Sequence, residues 1–73
     1  MNKTRQLAVW MLKTRVFKTS DILSWGVQNY NNRAMRTARR LRELGLLRRT
    51  SLPGREDGYE TNIEEMENYL RVT

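Results

Sequence analysis

Between Asn32 and Arg49 the chain carries a pattern that few folds accommodate. Ala34, Ala38 and Leu41 recur at i, i+4 and i+7 along a helix expected from Asn32 to about Leu44. Asn32, Arg33, Arg36, Arg39, Arg40 and Glu43 fall on the outward side of the same helical wheel. Gly45 ends the helix, Leu46-Leu47 turns the chain back into the core, and an extended segment from Arg48 to Leu52 follows. A helix whose inner stripe is mostly alanine can sit close on its support. Its support must therefore lie directly against it, and its outer surface must tolerate a row of arginines.

What supports it is limited by size. The chain has 73 residues and no Cys, so one domain spanning residues 1–73 is expected, near the lower limit for independent folding and with no disulfide to help. His is absent as well, which removes the commonest general base and, with Cys, the commonest zinc ligands. Asp21 and Glu43 are the only acids before residue 56. No catalytic residue, metal ligand, cofactor or small-molecule pocket is expected, and the chain reads as a non-enzyme. The apolar run Leu7 to Leu12 is far shorter than the roughly 20 residues of a membrane helix, and it lacks the features of a signal peptide. A cytoplasmic location with no membrane partner follows as an expectation.

The elements before residue 32 read as follows. From about Thr4 to Lys13, Leu7, Trp10 and Met11 make one helical face, with Ala8, Val9 and Leu12 on the opposite side. Val16 and Phe17 suggest a brief extended piece. Thr19 is expected to cap a short second helix, with Asp21 in its first turn, Ile22, Leu23 and Trp25 on its apolar face, and Gly26 as its stop. The stretch from Val27 to Asn31 reads as a turn. Trp10, Phe17, Trp25 and Tyr59 are expected to supply most of the core volume, while Tyr30 lies beside the arginine-bearing helix.

Beyond the expected strand, Pro53-Gly54 marks a turn, Arg55 to Gly58 extends the loop, and Tyr59 to Thr61 returns as a second strand. Asn62 followed three residues later by Glu65 has the form of a capping box, opening a last helix over about residues 62–71 with Ile63, Met66 and Leu70 on one face.

Charge is unevenly placed along this order. Up to Arg49 there are twelve Lys or Arg against two acids, a balance of +10; from Thr50 onward there are two Arg against six acids, a balance of −4. A basic body with an acidic end fits a protein that presents one face to a polyanion.

The order of elements resembles the winged helix-turn-helix family of DNA-binding proteins over roughly residues 4 to 61. The residues that carry the resemblance are Lys18-Thr19-Ser20-Asp21-Ile22-Leu23 with Gly26, and then Arg36-Thr37-Ala38-Arg39-Arg40-Leu41-Arg42-Glu43-Leu44-Gly45-Leu46-Leu47-Arg48-Arg49. The resemblance implies a mainly α fold of three helices, a two-stranded wing and a short C-terminal helix. It also implies that the third helix reads double-stranded DNA.

An α-helix fits the major groove, where Arg can bond guanine and Asn adenine in pairs. In helix-turn-helix proteins the N-terminal residues of the reading helix reach bases. Asn32, Arg33, Arg36 and Thr37 are accordingly assigned to bases, and Arg39 and Arg40 to phosphates. Further contacts are expected from Lys18 and Thr19 at the second helix's start and from Arg48, Arg49 and Arg55 in the wing. A small transcriptional regulator is the leading expectation; a protein-interaction adaptor and a non-specific nucleic-acid binder are the alternatives. The spare apolar residues Ala8, Val9, Leu12, Ile63, Met66 and Leu70 leave two arrangements open, a homodimer through the first and last helices or the packing of those two helices on each other within one monomer, and the homodimer is the one expected. A regulator this brief, without a sensing domain, is consistent with a phage, plasmid or archaeal-virus origin.

Overall fold

The computed structural model describes residues 2–54 and 56–73. Seven elements follow in order: α1 (Lys3–Thr14), β1 (Val16–Lys18), α2 (Thr19–Gln28), α3 (Ala34–Glu43), β2 (Leu47–Leu52), β3 (Glu56–Thr61) and α4 (Ile63–Val72). The result is a small mixed α/β fold of four helices and one three-stranded antiparallel sheet in the order β1-β3-β2. None of these helices is long and apolar enough to cross a membrane.

The sheet differs from the two-stranded hairpin expected from sequence. Val16, Phe17 and Lys18 pair with Glu60, Tyr59 and Gly58, so the brief extended piece before α2 becomes an edge strand on β3. The Thr61 amide donates to the Arg15 carbonyl at 2.8 Å and continues this ladder past the end of β1. Pairing begins sooner than expected on both strands of the hairpin, at Leu47 on β2 and at Glu56 on β3.

The core draws on every helix. Leu7, Ala8 and Met11 from α1, Ile22 and Trp25 from α2, Ala34, Ala38 and Leu41 from α3, and Met66 from α4 are buried with Phe17, Leu46 and Leu47. Trp10 lies 5.1 Å from Phe17 and 6.0 Å from Trp25 between ring centroids, and Phe17 lies 6.2 Å from Tyr59, but of these four aromatics only Phe17 and Trp25 are buried; Trp10 and Tyr59 are half-buried against a core filled mainly by aliphatic and methionine side chains. Ala8 and Met66, expected on a dimer surface, are fully buried within this core, because α4 packs back onto α1. The Arg5 guanidinium donates to the Leu70 carbonyl at 2.7 Å across that contact.

Several expected boundaries shift for local reasons. Lys18, not Thr19, is the N-cap of α2; its backbone N–H donates to the Asp21 carboxylate at 2.8 Å, and Thr19 is the first helical residue. Gly26 does not stop α2, which continues to Gln28. It is there because a Cβ would come within 2.7 Å of the Asn31 carbonyl oxygen and 3.0 Å of the Ala34 Cβ. Leu23 is half-exposed rather than part of the core.

The arginine-bearing helix begins at Ala34, two residues later than expected. Asn32 and Arg33 lie in the turn, where Asn31 Oδ1 accepts from the Arg33 amide at 3.1 Å. Gly45 ends α3 at φ +83°, as its residue type suggests. At α4, Asn62 is the N-cap, but its side chain does not close a capping box. It donates instead to the Gly45 carbonyl at 2.7 Å and ties the α3–β2 turn to the start of the last helix.

Candidate nucleic-acid interface

Helix α3 is positioned by its inner stripe. Ala34, Ala38 and Leu41 are buried at i, i+4 and i+7, and the absence of a side chain on Gly26 lets α2 approach the start of α3 closely. The opposite surface is Arg36, Arg39, Arg40, Arg42 and Glu43, all exposed, with Asn32 and Arg33 exposed in the preceding turn and Thr37 half-buried at the edge. At about 1.5 Å of rise per residue, Arg36 and Arg40 sit one above the other on neighbouring turns.

The start of this helix is electrostatically open. It has no side-chain cap hydrogen bond and no acid in its first turn. Its amide dipoles therefore add positive potential where Asn32, Arg33 and Arg36 already stand. Among the described residues no carboxylate lies within ion-pair distance of Arg33, Arg36, Arg39, Arg40 or Arg42.

The hairpin is different. Arg48 faces Glu60 directly across β2 and β3, and its Nε lies 3.0 Å from the carboxylate. Arg49 faces Tyr59, stacks its guanidinium 5.8 Å from the ring centroid, and reaches Asp57 at 3.1 Å on the diagonal. Lys18 faces Gly58 on the other side of β3 and reaches Glu56 at 2.9 Å, again on the diagonal.

The hydrogen bond and the charge of Glu56 hold the Lys18 ammonium above its usual pKa; Glu60 does the same to Arg48. All three pairs are solvent-exposed, so each contributes little to stability. Their effect is to satisfy cations that the sequence made available. Arg55, expected at the tip, lies outside the described residues.

The structure thus divides the sequence-predicted site. Arg36, Thr37, Arg39 and Arg40 share α3, with Asn32 and Arg33 at its entrance. Lys18, Arg48 and Arg49 are each committed to an acid on β3, and Thr19 is exposed in the first turn of α2. Arg42 belongs with the unpaired group, although sequence reasoning left it out of the site; its position three residues after Arg39, with no acid beside it but Glu43, was the available signal. Comparison with family models, with curated proteins and with solved structures finds no match to this chain.

Proposed function

We propose that this chain is a winged helix-turn-helix protein that binds double-stranded DNA sequence-specifically, as a small transcriptional regulator, with α3 in the major groove. The observation that carries the reading is the contrast in how its cations are used. Five arginines stand unpaired in and just before one helix, whereas Lys18, Arg48 and Arg49 on the sheet all have carboxylate partners. Like charges crowded on one helix destabilise it, and a polyanion relieves that cost.

The fold order supports the same reading. A helix on a close-packed helical support, followed by a strand pair, is what the winged helix uses to present a reading helix. In this proposal Asn32, Arg33, Arg36 and Thr37 face base edges, and Arg39, Arg40 and Arg42 hold phosphates. The hairpin is a weak contributor, because its arginines must first leave Asp57 and Glu60.

Selection from a random duplex pool, followed by fluorescence anisotropy across a salt series, tests the proposal. The expected result is one enriched sequence bound on the order of 10³-fold or more tighter than random duplex. Affinity should fall steeply as salt rises, because bound counterions are released from the phosphates. Absence of affinity for any duplex at low salt overturns DNA binding, and equal affinity for every duplex overturns sequence-specific regulation.

A further inference from the structure

Trp10 and Trp25 meet only in the fold, with ring centroids 6.0 Å apart, where α1 and the end of α2 leave a groove of about 400 Å³ between them. Arg5, Val9 and Lys13 recur at i, i+4 and i+8 along α1, and Trp25 and Asn29 stand one turn apart on α2 and its C-cap. Small-molecule clefts commonly enclose about 300–1,000 Å³, with a mainly apolar lining and a few polar groups. This groove has that size and that kind of lining.

Its polar groups are largely unspent. A buried indole N–H ordinarily finds an acceptor. Trp25 is 8% exposed, yet neither its N–H nor that of Trp10 has an acceptor among the described residues. Neither indole nitrogen is sealed off from solvent. Lys13 is exposed and has no carboxylate within ion-pair distance among the described residues. Arg5 gives one guanidinium nitrogen to the Leu70 carbonyl at 2.7 Å and likewise meets no acid. Among the described residues no Asp or Glu lines the groove.

We propose that this groove binds a small aromatic carboxylate, with its ring against Trp10 and Val9 and its carboxylate on the Lys13 ammonium. The groups present select that chemistry. The indole rings and Val9 offer contact to a flat apolar body. Lys13, with Arg5 beside it, attracts an anion, and an indole N–H gives the same carboxylate a second donor. A cation is repelled, and a neutral ring leaves the ammonium without a partner. Duplex DNA offers phosphates to Lys13 but keeps its own rings stacked inside the helix, so the two indoles stay uncovered. The site lies on α1 and α2, away from the arginines of α3, and does not rest on the proposed DNA binding.

NMR of the isotopically labelled full chain tests the proposal, because its two tryptophans give just two indole N–H resonances and both rings line the groove. The probe is indoleacetate, titrated without DNA. The expected result is a saturable shift of both resonances with a Kd of ~0.1–1 mM, as suits a ligand of this size in an open groove. Indoleacetamide, which lacks the charge, and cyclohexylacetate, which lacks the flat ring, should each bind at least about fivefold more weakly. Lys13→Ala should weaken indoleacetate at least about threefold and leave indoleacetamide unchanged. Arg48→Ala, which removes a cation from the sheet, should leave both titrations as they are.

Resonances that do not move up to ~10 mM indoleacetate overturn the proposal. So does equal binding of the acetamide or of cyclohexylacetate, or a Lys13→Ala chain that loses nothing. An equal loss in Arg48→Ala also overturns it, because the anion would then be answering net charge alone. Indole resonances that move when the protein is diluted without ligand overturn it too, since another copy of the chain would then fill the groove.

Discussion

Gly26 shows how one position can carry the geometry of a site it never touches. Its missing side chain sets how near α2 comes to Asn31 and Ala34, and so how the entrance to α3 is held. Both neighbours that a Cβ would meet are fixed: one is a backbone oxygen and the other the first inward residue of α3. Gly26→Ala should therefore destabilise the fold by about 1–3 kcal/mol despite alanine's better helix propensity, seen as a lower denaturant midpoint in circular dichroism. A neutral or stabilising result would mean that the two helices separate at little cost.

On the outward side the neighbours Arg36 and Arg39 are expected to behave differently. Arg36→Ala should relax base preference at one position, worth about 1–3 kcal/mol of discrimination. Arg39→Ala should weaken every duplex alike and reduce the salt slope by about one. Anisotropy titrations of both variants on the selected site and on random duplex separate these outcomes, and equal sequence-blind losses would remove Arg36 from base reading.

Among the elements, α3 was the most legible from sequence and the sheet the least. The alanine stripe and Gly45 are local signals, and the helix they imply is present with its inward residues buried as expected. Three residues at Val16–Lys18 are too few to show a period, and their pairing with β3 joins positions 40 to 44 residues apart, so nothing local marks them as a strand. Leu23 and Val27 read as core or turn because apolar residues usually are; only the packing reveals which face of α2 remains uncovered.

The fate of the basic residues on the sheet was hidden for a related reason. Glu60 lies opposite Arg48, and Asp57 lies diagonal to Arg49, only in this register, and a slip of one residue would move each acid to the other face. Glu60→Gln or Asp57→Asn should release an arginine from the hairpin. Either substitution should raise affinity for random duplex severalfold and steepen the salt dependence by up to about one phosphate contact. Unchanged salt slopes in both variants would show that the hairpin stays clear of DNA whether or not its arginines are paired.

Across the fold the acidic end is structural as well as electrostatic. The first turn of α4 carries Glu64 and Glu65, where the helix dipole favours them, and the side chain of Met66 closes the core over α1. In a chain with no disulfide and little core, such a lid matters more than its length suggests. Met66→Ala should cost about 2–5 kcal/mol, against the roughly 5–15 kcal/mol that a typical domain has in total. For a domain near this size that corresponds to a fall in melting temperature on the order of 10 °C or more.

Below the new midpoint the variant should still bind the selected duplex with unchanged salt slope, because the α3 arginines lie on the surface opposite the core that Met66 fills and the Asn62–Gly45 tie is left intact. Thermal melts followed by circular dichroism, paired with anisotropy at low temperature, read both quantities. A shift of less than ~4 °C would mean that α1 is covered without Met66. A normal melt with lost affinity would instead bring the acidic helix into the proposed DNA-binding surface, from which its charge argues that it is kept away.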